Sequence, residues 1–252
     1  MIEKYCCDER DKNNILYMII DENETEVFVK GLYYRIKKYI SKKYIRYVNE
    51  AEVEEHRRKN DDYYKRIKEN IFSLRIKGIL GTVLHVDGDS EYMESCLELY
   101  KEMGIHAYGI YIDEKDMATK IGDIVRKILP DIVVITGHDY YNNEGLTDLK
   151  NYKNTSNFLN ACLECKRNKV DVVIIAGACQ SNGEALLING ANFASSPKRI
   201  NIHTYDPAII AVKVASTSSE RFIDKKSLER KIENFNDAYI GIETKGKMKI
   251  LI

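Results

Sequence analysis

Two stretches of the chain share one pattern of apolar and polar positions: DIVVITGHDYY from Asp131 and DVVIIAGACQS from Asp171. Each places an acidic residue before a run of aliphatic residues, followed by a glycine-containing turn. A short unbroken apolar run bounded by turn residues predicts a strand buried on both faces of a parallel sheet. From Gly78 onward such runs alternate with segments of helical periodicity. Strands are expected at 79–86, 105–112, 132–136 and 172–176, with helices at 92–103, 116–129 and 156–167 between them. Gly104 ends the first of these helices and Pro130 stops the second. A short helix near 183–189 and a strand-like ANFASS come next. This alternation predicts an α/β fold, a three-layer α/β/α sandwich with a mainly parallel sheet and right-handed crossovers. Farther on, 207–216 and 225–233 read as helices, and 239–243 with 248–251 as a hairpin turning at 245–247. The shared DxVVI pattern reflects what two buried strands require and marks no repeat.

The first 48 residues read differently. ILYMII at 15–20 and EVFVKGLYYRI at 26–36 suggest two strands joined by the turn Asp21-Glu22-Asn23-Glu24, and 41–47 suggests a third. A lone hairpin is marginal in water, so a small, incomplete barrel-like β module over 1–48 is expected to pack on something. The segment 49–77, EAEVEEHRRKNDDYYKRIKENIFSLRIK with its preceding Asn49, is highly charged and almost free of helix breakers. It predicts a solvated connecting helix, with His56 at the surface and Tyr63 and Tyr64 on a polar face. The α/β region then occupies 78–252.

Composition narrows the functional classes. Of 252 residues, 44% are hydrophobic and 31% charged, and 39 basic side chains balance 39 acidic ones. A neutral balance supplies no bulk attraction to nucleic acid or membrane. The apolar runs are too short to span a bilayer, and MIEKYCCDER has no apolar signal core, so an intracellular protein is expected. Six cysteines in such a chain favour free thiols over a disulfide framework. Cys162 and Cys165 form an isolated CxxC on a helix, and Cys96 falls on the apolar face of another; both read as structural. Only Cys179 directly follows a buried strand.

In an open doubly wound sheet, chemistry gathers outside the carboxyl ends of the strands. His138 follows the third strand there and Cys179 the fourth. If these strands are neighbours, an imidazole and a thiol meet in one crevice, the minimum for a cysteine nucleophile with its base. Gly137 and Gly177 permit sharp turns and close approach of a substrate backbone. The N–H groups of Gly137 and Cys179 are candidates for an oxyanion site. The helix after Cys179 favours the thiolate. The competing structural reading makes Cys179 a small buried hydrophobe and His138 a capped strand-end residue. Val86-Asp87-Gly88-Asp89-Ser90 has the DxD form of a magnesium-dependent phosphatase, but no matching lysine and acidic pair follows in recognisable form. Gly78, Gly81 and Gly88 build neither GxGxxG nor a P-loop.

Several blocks carry a family resemblance: GTVLHVDGDSEY, PDIVVITGHD, IIAGACQSN with GANFASSPKRINIH, and the terminal GIETKGK. Together they resemble the YabG-type sporulation peptidases, from about Gly78 to the C-terminus, and the hairpin region 14–38 resembles that family's N-terminal β module. The resemblance implies a cysteine endopeptidase that trims spore coat and cortex-associated proteins in the mother-cell cytoplasm, with a preference for basic residues. It places the catalytic pair on His138 and Cys179. A more distant similarity is to caspase- and gingipain-like peptidases, in which the histidine follows the third strand and the cysteine the fourth. In those relatives the pocket for the residue before the cut bond draws on the loop after the first strand. Here that loop holds Asp87 and Asp89, an acidic pair that would select arginine or lysine, with Asp206 as a competing acid. Asp87 and Asp89 have an alternative role in capping the next helix. No third orienting residue is obvious, and no metal or cofactor is expected. The alternative from another class is a non-catalytic spore coat scaffold binding through the β module and charged helix.

Overall fold

A computed structural model describes residues 4–11, 14–72 and 78–250. Its N-terminal part is one antiparallel sheet of five strands: β1 (Tyr5–Asp8), β2 (Tyr17–Glu22), β3 (Glu26–Gly31), β4 (Lys37–Ser41) and β5 (Ile45–Tyr47). Their order is β4-β3-β2-β1-β5. β1 escaped the sequence reading because YCCD is only four residues long. The run EVFVKGLYYRI also divides: β3 stops at Gly31, and Leu32 to Ile36 form a turn before β4. There the Gly31 N–H donates to the Ile36 carbonyl at 2.9 Å, closing a hairpin tip.

Helix α1 (Glu50–Phe72) follows, matching the predicted charged segment as far as the described residues reach. It is not a solvated strut. Val53 and Ile67 are buried, and Tyr63, expected on a polar face, donates its hydroxyl to Asp206 at 3.0 Å. Tyr64 and Lys68 both reach Glu102, fixing the helix against the α/β region.

The second sheet has the order β11-β10-β9-β8-β6-β7, with β6 (Val83–Asp87), β7 (Ala107–Tyr111), β8 (Ile132–Thr136), β9 (Val173–Ala176), β10 (Phe193–Ser195) and β11 (Tyr239–Gly241). All pairings are parallel except β10 with β11. The sheet is therefore mixed and mostly parallel. Side-chain alternation explains why its central strands are apolar throughout. Val83, Ile132, Val134, Val173 and Ile175 join Leu99 of α2 (Ser90–Glu102) and Ile209 of α6 (Asp206–Ser216) on one face. Leu84, Val86, Val133, Ile135 and Ile174 meet α3 (Met117–Ile128), α4 (Thr155–Asn168) and α5 (Gly183–Ile188) on the other. Each fully buried aliphatic side chain contributes about 1.5–3 kcal/mol relative to exposure.

Asp89 caps α2 by accepting from the Glu91 and Tyr92 N–H groups. Leu129 ends α3 in the left-handed region, just before Pro130. The C-terminal expectation needs revision. α7 (Lys225–Glu229) is shorter than predicted, and a four-residue α8 (Phe235–Ala238) precedes β11. The expected hairpin does not form among the described residues: Met248 bridges Ser218 and Lys249 bridges Ile79, tying this end to the start of the α/β region. Leu251 lies outside the described residues. Cys96, Cys162 and Cys165 are buried as expected, and all six cysteines are unpaired.

Candidate active site

β8 and β9 are hydrogen-bonded neighbours, with Ile135 opposite Ala176. The loops bearing His138 and Cys179 thus leave adjacent strand ends on the same sheet edge. A buried strut ties them together. The Asp139 carboxylate accepts from the Ser181 hydroxyl at 2.9 Å and from Thr155, while the Ala178 N–H donates to the Ser181 Oγ at 3.0 Å. Burial pushes the Asp139 carboxyl upward, opposed by these donors. Gly177 turns at φ +103°, and a Cβ there would run into the Ser195 hydroxyl, so the turn entering the cysteine loop needs glycine.

His138 sits between two carboxylates. Its Nδ1 lies 3.3 Å from Glu114, whose same oxygen accepts the His138 backbone N–H at 2.8 Å. Its Nε2 lies 3.4 Å from Asp89. Glu114 follows β7, which is separated from β8 by β6. It reaches across because Gly88 and Gly137 leave room: a Cβ on Gly137 would stand 2.5 Å from its carboxylate, and one on Gly88 would also collide. Gly137 thus makes space for an acid beside the histidine. Tyr92 packs its ring 5.7 Å from the imidazole. His138 lines a groove of about 340 Å³ with Glu114, Tyr111 and Lys153.

Cys179 has a different setting. It is fully buried, and its Sγ receives the Ile202 N–H at 3.2 Å. The Arg35 backbone N–H also donates toward it. Burial pushes the thiol up to about 12, with these two donors acting against it. Among the described residues no hydrogen bond joins Cys179 to His138.

The three candidate acids do not share one pocket. Asp87, expected to face substrate, is fully buried and bound by Arg35 Nη1 at 2.6 Å and His85 Nε2 at 3.3 Å. Burial raises its carboxyl, but the Arg35 charge together with the hydrogen bonds from His85 and Arg35 outweighs burial, and the group ends below the usual carboxylate range. Asp89 is the α2 cap and is also held by Lys30 at 2.8 Å and Lys37 at 3.2 Å. Its carboxyl too falls well below the ordinary range, as the neighbouring His138 and the hydrogen-bonded Lys30 together outweigh burial. Asp206 lines a larger cavity of about 760 Å³ with Tyr33, Tyr34, Tyr63 and His203. Burial lifts it to about 7 despite the His203 N–H at 2.9 Å and the Tyr63 hydroxyl. Sequence reasoning missed Glu114, Arg35 and Tyr92. Glu114 was within reach of the strand-end rule, whereas the others depend on how the two sheets meet.

The family model described as YabG peptidase U57 matches residues 16–252. The chain belongs to the YabG peptidase family. It is similar to the sporulation-specific protease YabG of Bacillus subtilis (strain 168), with 42% identity over 176 residues covering 68% of this chain. The chain spans 60% of the length of that YabG relative. No solved structure matches it. The YabG match begins at residue 16 and so takes in β2 to β5 of the first sheet and all of the second.

Proposed function

We propose that this chain is a cysteine endopeptidase of sporulation that cuts after arginine in spore coat and cortex-associated proteins. The observation that carries this reading is the delivery of a thiol and an imidazole from neighbouring parallel strand ends, on loops tied through Asp139 and Ser181. Cys179 Sγ attacks the peptide carbonyl, and the thiol proton passes to His138. The N–H groups of Gly137 and Cys179 receive the developing oxyanion. As the C–N bond breaks, His138 gives that proton to the leaving amine. Water then hydrolyses the thioester, with His138 as base, and restores the thiol. Glu114 orients the ring and stabilises its charged form, the role left open by the sequence.

Arginine preference is supported by Asp87, a buried carboxylate already paired with a guanidinium. A planar guanidinium suits such a site better than an ammonium does. The distant caspase-like resemblance belongs to this proposal, as does the division into a β module at 1–48, a helix at 49–77 and a catalytic domain at 78–252. Full burial of Cys179 favours a second reading, a coat scaffold without catalysis. Incubating the full chain with an arginine-containing coat protein decides between them. Cleavage by the parent and none by Cys179→Ala is expected; equal cleavage by both removes the cysteine mechanism.

A further inference from the structure

The tip of the β3–β4 hairpin enters the crevice of the α/β region. Arg35, at the tip, is fully buried. Nη1 meets Asp87 at 2.6 Å, and Nη2 donates to the Thr204 carbonyl at 3.0 Å. Its backbone N–H reaches both Cys179 Sγ and the Ile202 carbonyl, the latter at 3.5 Å. The flanking backbone pairs antiparallel with the segment after β10: Tyr34 bridges His203, and the Thr204 N–H donates to the Tyr33 carbonyl at 2.9 Å. An extended peptide adding to a strand edge makes bonds of this kind, with one side chain entering a pocket. Lys30 and Lys37, on either side of the tip, clamp Asp89, the carboxylate that faces His138. The hairpin therefore covers both halves of the site.

We infer that Arg35 is a built-in pseudosubstrate: the hairpin tip occupies the arginine pocket over Asp87 and holds the peptidase closed until the β module withdraws. This rests on Cys179 as nucleophile and Asp87 as arginine selector. Two features make the tip an inhibitor. The Ile36 N–H folds back onto the Tyr34 carbonyl at 2.8 Å, so the chain turns sharply at Arg35 where a cleavable peptide runs extended. The Tyr92 hydroxyl, within hydrogen-bond reach of the Gly31 and Tyr34 carbonyls, anchors that turn. The guanidinium is also imperfectly housed, since Nε finds no partner among the described residues. An incoming arginine whose own Nε–H finds an acceptor can compete.

The test compares the full chain with Arg35→Ala, Arg35→Lys and Cys179→Ala on a fluorogenic arginyl peptide amide. If the open fraction of the parent is about 10% or less, Arg35→Ala hydrolyses about tenfold faster or more. Arg35→Lys retains a cation against Asp87, folds even where alanine fails, and gives an intermediate rate because it cannot hold Asp87 and Thr204 as a fork does. Folded Arg35 variants no faster than the parent overturn the inference. A second readout is independent of catalysis: N-acetyl-arginine amide raises the melting temperature of Arg35→Ala, whose pocket is vacated, and leaves the parent unchanged. Equal shifts in both chains, or none in either, contradict the inference. Hydrolysis by Cys179→Ala at the parental rate sinks the nucleophile reading, while the melting experiment still reports on the tip.

Discussion

The loops carrying His138 and Cys179 leave neighbouring strands and share a buried strut, yet their surroundings are opposite. The histidine, though buried, lines a groove between two carboxylates, one reaching over from β7 and one capping α2. The cysteine is sealed beneath the β3–β4 hairpin, with backbone N–H groups on its sulfur and its thiol pushed up to about 12. One half is prepared electrostatically before substrate arrives. The other is prepared by topology and withheld by packing. The difference teaches that adjacency of strand ends and availability of the nucleophile are separate properties, set by different parts of the chain.

The largest expected effect breaks the comparison at the sulfur. Cys179→Ala abolishes peptide hydrolysis, whereas His138→Ala lowers kcat/KM by about 10²- to 10⁴-fold, the usual contribution of a proton-transferring side chain. Equal losses far below that range would make the histidine a structural residue. Next comes the buried ion pair. Asp87→Asn strands the Arg35 charge and destabilises the fold by about 3–5 kcal/mol in denaturant titration. Combining it with Arg35→Leu restores part of that loss, and additivity would show that the pair is not coupled.

A smaller effect sharpens the histidine side. Glu114→Gln keeps the shape but removes the charge beside Nδ1, lowering kcat by about 10- to 100-fold through poorer positioning. An unchanged kcat in Glu114→Gln would confine Glu114 to a packing role. The smallest effect concerns stability. Asp206 titrates near 4 when unfolded but near 7 when folded, so the native state holds the extra proton between those values. Its contribution is full below about pH 4, falls as pH rises, and has been lost above about 7. Asp206→Asn flattens stability against pH over that window by up to a few kcal/mol; an unchanged slope would assign it to another group.

Much of the α/β region was legible because its strands follow a simple rule. A strand buried on both faces, such as 132–136, is apolar along most of its length, so its limits show in the sequence. The glycine turns before His138 and Cys179 were visible for the same reason. The hairpin tip was not. LYYRI has strand-forming side chains, and only docking against the α/β region makes it a turn. Arg35 reads as an ordinary basic residue until Asp87 is brought beneath it from across the molecule. Glu114 stands where the strand-end rule looks, but its contact with His138 was hidden by strand order, since β6 lies between β7 and β8. Tyr63 was misread because periodicity along a charged helix cannot show a polar contact with a buried carboxyl.

The central claim is that Cys179 is the nucleophile and that Asp87 selects arginine. Treatment of the Arg35→Ala chain and its parent with an arginyl acyloxymethyl ketone, followed by peptide mapping, tests it most directly. The account predicts one adduct, on Cys179, formed faster in the variant and suppressed when Asp87→Asn is added. Labelling spread over Cys96 and the other thiols, or an unmodified Cys179 in a chain that still cleaves peptides, would contradict it.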